Sequence, residues 1–240
     1  MNPLVSIIIT CHNYQRYIVD CLLSCCNQDY DEVEIIVVDD ASTDKSCEMI
    51  AKVRDSRIKA IRMRENAGYS TAKNTGILHS KGKYIRFLDA DDCMTLVGVS
   101  KPVAYIEKNP CDLVHGIAYI VNGGTGYGKM LAKQEKYKFD QRCVVHAQGL
   151  LYPRATFEKY GLFYTKLRSK ADKEHHMRLK VLGGDIRKIE SKLAFYRVHS
   201  SSMLAMRNRN KAYDKDVTRI FNERMKDLKK RGFDAIEARL

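Results

Sequence analysis

The sequence predicts an α/β fold: a mostly parallel, Rossmann-like sheet flanked by helices, with a helical tail at its C-terminal end. Three observations predict it. Short continuous apolar runs rich in β-branched residues recur at residues 4–10, 34–38, 58–63 and 84–88, the pattern of strands buried on both faces of a parallel sheet. Between them the apolar spacing changes to helical intervals, so strand and helix alternate. Three of the runs end in polar or acidic groups, Thr10-Cys11-His12, Asp39-Asp40 and Asp89-Ala90-Asp91-Asp92. In such sheets ligands sit beyond the carboxyl ends of the strands, so all three ends should open on one crevice.

Taken in order, the first strand leaves through the loop Cys11-His12-Asn13-Tyr14. Tyr17, Cys21, Leu22 and Cys25 then mark a helix that runs to near Asn27. After the second strand, Ser42 or Thr43 can cap a helix with Asp44 in its first turn and Cys47, Ile50 and Ala51 on one face. The third strand is followed by a helix over 72–80, a turn at Gly82 and the fourth strand. Beyond Asp92 the pattern loosens. A helix is expected over 99–108, stopped before Asn109-Pro110, and a strand over 112–121; residues 143–151 are mixed. A helix over 155–160 stops at Gly161, another opens at Ala171, and a strand covers 193–198. In the tail, 207–240, Val217, Ile220, Phe221 and Leu228 form one apolar stripe with a basic opposite face. Such a helix either packs on its own domain or lies on an anionic membrane.

The chain has 240 residues, 45% hydrophobic and 30% charged, enough to bury a proper core in one large or two small domains. The division expected is a main domain over 1–205, with halves 1–100 and 101–205, followed by the tail 206–240. No run of about 18 apolar residues exists, so no membrane-spanning helix is expected. The start lacks a basic leader, and the eight cysteines include no Cys-x-x-Cys pair. They read as reduced, mostly buried thiols of a cytoplasmic protein rather than zinc ligands. Charge is unevenly spread: residues 1–100 hold 12 Lys/Arg and 14 Asp/Glu, residues 101–240 hold 30 and 15, a net of −2 against +15. The second part favours anionic company. No zinc finger, helix-turn-helix or aromatic RNA-binding signature is present, so no nucleic acid partner is expected.

Asp89, Asp91 and Asp92 carry the clearest chemistry. Alternate residues at a strand end point the same way, so Asp89 and Asp91 can face one point. Clustered carboxylates resist ionising together unless a cation lies between them, and hard oxygen ligands suit magnesium or manganese. Alone, the triplet reads equally as a solvated acidic turn; the apolar strand before it and the second acidic strand end favour a metal and nucleotide site. Gly123 to Lys129 superficially fits a phosphate-cradling loop. Met130 occupies the place of the required Ser or Thr, so a flexible hairpin loop is the better reading. Adjacent His175 and His176 point to different sides of a helix and are expected to pack rather than bind metal.

With these residues in hand, the chain resembles the inverting family 2 glycosyltransferases, of the nucleotide-binding GT-A fold, over roughly residues 3–200. The resemblance is carried by Val5-Ser6-Ile7-Ile8-Ile9-Thr10-Cys11-His12-Asn13, by Val37-Val38-Asp39-Asp40-Ala41-Ser42-Thr43-Asp44, and by Asn66-Ala67-Gly68 with Ala72-Lys73-Asn74-Thr75-Gly76, where Lys73 replaces the usual Arg. Asp89-Ala90-Asp91 and Tyr196-Arg197-Val198-His199 complete it. It implies that Asp39 and Asp40 contact the base and ribose of a nucleotide-sugar, that Thr10 and His12 flank the base, and that Lys73 belongs to the same donor site. Asp91 would bind a Mn2+ or Mg2+ ion, with Asp89 on the ribose or metal and His199 completing the metal and diphosphate site. Asp172 matches the family's catalytic base; the Glu that should precede it is Ala171, and Glu174 is the near alternative.

The function implied is single-displacement transfer of a sugar from a nucleotide-sugar, UDP-linked by preference, to a glycan or lipid-linked acceptor, as in polysaccharide biosynthesis. A sugar-nucleotide-binding protein that has lost catalysis is the main rival, and a P-loop NTPase or kinase a weaker one. The basic second part suits a lipid-phosphate, an anionic glycan or peripheral contact with an anionic membrane.

Overall fold

The computed structural model describes residues 2–134, 149–167, 170–202 and 211–231. Cys143, the mixed stretch over 143–148 and the two ends of the tail, 206–210 and 232–240, lie outside the described residues.

Strands β1 (Val5–Cys11), β2 (Val33–Asp39), β3 (Ile58–Arg62) and β4 (Tyr84–Asp89) alternate with helices α1 (Ile18–Cys26), α2 (Ser46–Lys52) and α3 (Tyr69–His79). They form the expected parallel wind, in the order β3-β2-β1-β4. The second half holds β5 (Cys93–Met94), α4 (Ser100–Lys108), β6 (Leu113–Asn122), α5 (Tyr127–Ala132), β7 (Leu150–Pro153), α6 (Arg154–Tyr160), α7 (Ala171–Val181), β8 (Ile186–Val198) and α8 (Lys211–Arg231). Its strands continue one eight-stranded sheet in the order β3-β2-β1-β4-β7-β6-β8-β5. Here the sheet becomes mixed: β7 runs antiparallel to both β4 and β6, and β5 antiparallel to β8.

Alternate residues of the central strands feed two cores, as the period of two requires. Val5, Ile7, Ile9 and Leu88 pack with Cys21, Leu22, Cys25, Val103 and Ile106 of α1 and α4. Ile8, Ile85 and Phe87 pack with Ile77 of α3 and with Phe157, Phe163 and Leu179. Arg86 is the exception on β4. It is fully buried, and its Nη1 and Nη2 donate to the carbonyls of Leu150 (3.1 Å) and Leu193 (3.3 Å), tying β4 to the strands of the second half. Burial pushes its guanidinium down to about 10.

The differences from expectation have local causes. Helix α2 starts at Ser46 instead of after Ser42 or Thr43, because the Ser42 hydroxyl accepts the Asn13 amide (2.9 Å) and the Thr43 amide is spent on Asn13 Oδ1 (2.8 Å). Asp44 satisfies the first turn by accepting from the Ser46 amide at 2.9 Å; Ala51 is exposed, so Ile50 is the buried residue of that face. Helix α3 starts three residues early, at Tyr69. The segment 123–129 is no hairpin loop: α5 begins inside it at Tyr127, burying Tyr127 and Met130 beside Tyr119 and Phe195. Strand β8 begins at Ile186, not Leu193. His175 and His176 are buried against Tyr152, as expected of packing residues, and burial pushes His176 down to about 4.

The apolar stripe of the tail is covered. Val217, Phe221, Met225 and Leu228 of α8 are buried with Leu167, Tyr164 and Met177, and Arg224 pairs with Glu174 of α7 at 3.3 Å. The outer face presents Lys215, Lys226, Lys229 and Lys230.

Candidate active site

The parallel register brings the strand ends together. Thr10 lies opposite Asp89, and Cys11 lies opposite Asp39. The loops after β1 and β2 are then locked to each other. Asn13, at φ 61°, accepts the amides of Thr43 (2.8 Å) and Asp44 (3.2 Å) on Oδ1. His12 Nδ1 donates to the Asp40 carbonyl at 2.7 Å, which fixes the tautomer and leaves Nε2 as the acceptor.

Asp39 and Asp40 face different tasks. Asp39 is 2% exposed. Its Oδ2 accepts from the Ser42 amide (3.2 Å) and the Cys47 thiol (3.1 Å), with Arg62 Nε at 3.7 Å, while its Oδ1 is buried with no partner among the described residues. Asp40 spends both oxygens on backbone, accepting the amides of Ala67 (2.8 Å) and Gly68 (2.9 Å). That bond draws the chain into the turn at Gly68, whose φ of 90° favours glycine, and α3 starts at the next residue. Asp40 thus braces the start of α3, and with about four acceptor positions on a carboxylate the ribose contact stays an expectation.

One carboxylate oxygen from each of Asp89, Asp91 and Asp92 lies within 4.8 Å of the other two. Burial pushes the Asp89 carboxyl up to about 7, with Asp91 and Asp172 adding to the rise and Lys73 opposing it. Burial raises Asp92 too, followed by its two acidic neighbours. Asp92 Oδ1 accepts the Arg197 amide at 2.8 Å, and its Oδ2 is buried without a partner among the described residues. His199, at the end of β8, reaches Asp91 with Nε2 at 3.0 Å and Ser201 Oγ with Nδ1 at 3.0 Å. Its ring lies on Tyr17 (centroids 4.6 Å apart) and edge-on to Tyr14 (6.3 Å). Arg197 holds this closing segment from below, with Nη2 2.8 Å from Asp20 and 3.2 Å from Cys93 Sγ. Gly123 abuts His199: a Cβ there would stand 2.6 Å from the His199 Cβ.

Asp172 sits in the first turn of α7. Its side chain is 18% exposed and ion-pairs through Oδ1 with Lys73 Nζ. The Tyr69 hydroxyl lies 3.0 Å from Asp172 Oδ2 and 2.9 Å from Asp89 Oδ1, sharing one proton between the two carboxylates. Lys73 is 1% exposed, with its ammonium over the rings of Tyr69 (4.4 Å), Phe87 (4.5 Å) and Phe163 (4.9 Å). It thus stands behind Asp172, and the donor-site role that the resemblance implies for it stays an expectation. Glu174 is 0% exposed and paired to Arg178 (2.9 Å) and Arg224 (3.3 Å). Two residues apart on a helix is about 200° of rotation, so Asp172 and Glu174 face opposite ways.

The site therefore joins the residues named from sequence, Thr10, His12, Asp39, Asp89, Asp91, Asp172 and His199, around one edge of the sheet. The contacts of Tyr69, Tyr17 and Tyr14 are not assigned by the sequence, whereas Asp92 belongs to the acidic triplet read there. Only Tyr69 had a usable signal: it directly follows Asn66-Ala67-Gly68 and stands one helical turn before Lys73.

Comparison with known proteins agrees with this architecture. The family model described as Glycosyl transferase family 2 matches residues 6–177. An Escherichia coli protein, UDP-Glc:alpha-D-GlcNAc-diphosphoundecaprenol beta-1,3-glucosyltransferase WfaP, is 30% identical over 216 residues, 84% of this chain and 80% of its own. Against other curated relatives the chain spans 46% and 52% of their length. Among solved structures, S. aureus TarS in complex with UDP superposes with a TM-score of 0.67 at 21% identity, covering 82% of this chain and 61% of that one. Mannosyltransferase PcManGT from Pyrobaculum calidifontis, in complex with GDP-Man and Mn2+, gives 0.69 at 18% identity, covering 87% and 61%. The chain belongs to glycosyl transferase family 2 and has the GT-A fold.

Proposed function

We propose that the protein is a metal-dependent, inverting glycosyltransferase that moves a sugar from a UDP-linked donor to a hydroxyl of a lipid-linked saccharide. The observation that carries this reading is the crowding of Asp89, Asp91 and Asp92 beside His199, with Asp172 joined to Asp89 through Tyr69.

The cluster fits a divalent cation. Burial and mutual repulsion raise two of its carboxyls, and a buried Asp92 oxygen lacks a partner; a cation relieves both. Carboxylate oxygens with one imidazole suit Mn2+ or Mg2+, and Asp91, Asp89 and His199 would hold it. When bound, the metal supplies positive charge opposite the leaving diphosphate.

The chain's own groups do the rest. The unpartnered Asp39 Oδ1 can accept a uracil N3–H, with Thr10 and His12 beside the base. Asp172 takes the proton of the acceptor hydroxyl as its oxygen bonds to the anomeric carbon, while the bond from that carbon to the diphosphate breaks and its electron pair leaves with UDP. Attack opposite the leaving group inverts the anomeric centre. The UDP donor and diphosphate-lipid acceptor named for WfaP support these substrate classes, and the Mn2+ beside GDP-Man in PcManGT supports the metal. The net +15 of residues 101–240 suits a phosphate-bearing acceptor.

The test is calorimetry over a panel of nucleotide-sugars with Mn2+, with and without chelator. Metal-dependent binding of a UDP-sugar is the expected result. Equal binding in excess chelator, or preference for a non-uridine donor, would overturn the corresponding part of the reading.

A further inference from the structure

We propose that Lys73 and Tyr69 are positioning residues for Asp172, and that the buried ammonium of Lys73 serves the base rather than the nucleotide. The inference rests on the reading of Asp172 as the base.

Lys73 and Tyr69 stand one turn apart on α3 and take one oxygen of Asp172 each, Lys73 Nζ on Oδ1 and the Tyr69 hydroxyl on Oδ2 at 3.0 Å. A carboxylate has about four acceptor positions, so both oxygens are held and two positions stay open for an acceptor hydroxyl. A lysine side chain has much rotamer freedom to lose. Here the rings of Tyr69, Phe87 and Phe163 enclose the ammonium at 4.4–4.9 Å, and their faces offset part of its desolvation. The same helix face continues the grip. The Ser70 hydroxyl donates to the Leu167 carbonyl, and Asn74 donates to the Phe163 carbonyl and accepts its amide, both at 2.9 Å. Four residues of α3 thus anchor the chain that leads into α7. Nothing in this arrangement turns Lys73 toward the loops of β1 and β2, where a nucleotide base would lie.

The experiment is a double-mutant cycle. Lys73→Met fills the cage without the charge; Lys73→Arg restores the charge. Transfer is measured with UDP-glucose and a GlcNAc-diphosphate-lipid acceptor, and UDP affinity by calorimetry with Mn2+. Lys73→Met should lower kcat on the order of 10²-fold, the cost of a misplaced catalytic group, and leave UDP affinity within about twofold. Lys73→Arg should recover part of the loss. In the Asp172→Asn background, Lys73→Met should lower turnover no further. Tyr69→Phe, which keeps the ring, should also lower kcat, by less, and is read on kcat alone because its hydroxyl also bonds Asp89. Multiplicative losses in the double variant, or weakened UDP binding at unchanged kcat, would overturn the inference while leaving Asp172 as base. Wild-type turnover in Asp172→Asn would overturn the base reading itself, and this inference with it.

Discussion

Replacing Glu174 with glutamine is expected to cost stability, whereas replacing Asp172 with asparagine is expected to cost turnover. Glu174 is 0% exposed and lies between Arg178 (2.9 Å) and Arg224 (3.3 Å). Glutamine removes the negative charge and points an amide donor at a guanidinium. Breaking one partner out of a buried ion pair costs about 3–5 kcal/mol, because the remaining charge stays buried. Arg178 keeps its bonds to the carbonyls of Tyr160 (2.6 Å) and Leu162 (2.7 Å), and Arg224 keeps the Tyr164 ring at 4.6 Å. The lower end, about 3 kcal/mol, is therefore expected. For a chain of this size that is a fall of about 6–12 °C in melting temperature, at roughly 2–4 °C per kcal/mol. Asp172→Asn leaves the buried Lys73 ammonium without its partner and should also melt below wild type, but it alone should bind donor normally and lose about 10²–10⁴-fold in transfer. Calorimetric melting and a transfer assay on both variants decide it. If Glu174→Gln melts like the wild type and has lost turnover while Asp172→Asn works, the base lies two residues further along α7.

Other perturbations address the metal, the closing segment and the tail. Asp91→Ala should abolish transfer and weaken binding of UDP far more than of uridine, as calorimetry would register; full activity in excess chelator would contradict this. Gly123→Ala should displace His199 from Asp91 and weaken Mn2+-dependent UDP binding, whereas Gly128→Ala, with nothing within 4 Å of the added carbon, should be neutral. Removing residues 207–240 should lower the melting temperature, since it uncovers Leu167, Tyr164 and Met177. Because the apolar stripe of α8 is spent on that packing, any sedimentation of the full chain with anionic vesicles should come from surface lysines and vanish at high salt. Binding that survives high salt would mean the helix leaves its seat.

The parallel half of the fold was legible because strands buried on both faces read as apolar runs. The other half was not. Strand β7 has four residues and β5 has two, too short to carry a period. The first part of β8 shows Arg187, Lys188, Glu190 and Lys192, with one face left to solvent, and its pairing with β6 shifts register between His115 and Ala118. Glycines hid α5, which forms because Tyr127 and Met130 find a core. In the site, spacing alone exposed the acidic strand ends. It could not show that Asp40 turns to the backbone of Ala67 and Gly68, or that Lys73 turns to Asp172, since both depend on where α3 settles. The resemblance favours Asp172 with Glu174 as the near alternative; the helix rotation and the seat of α8 separate the open carboxylate from the sealed one.

On the proposed reading, the bond from Asp40 to the turn at Gly68 makes α3 a lever between the donor side and the acceptor side. Its N-terminus hangs from the strand that carries Asp39, and its side holds the chain leading to Asp172. A graft meant to change donor choice at the ends of β1 and β2 would also tilt that lever and shift the acceptor side. Chimaeras within this family should therefore exchange residues 39–172 as one block, because a junction inside it would pair one protein's lever with another's load.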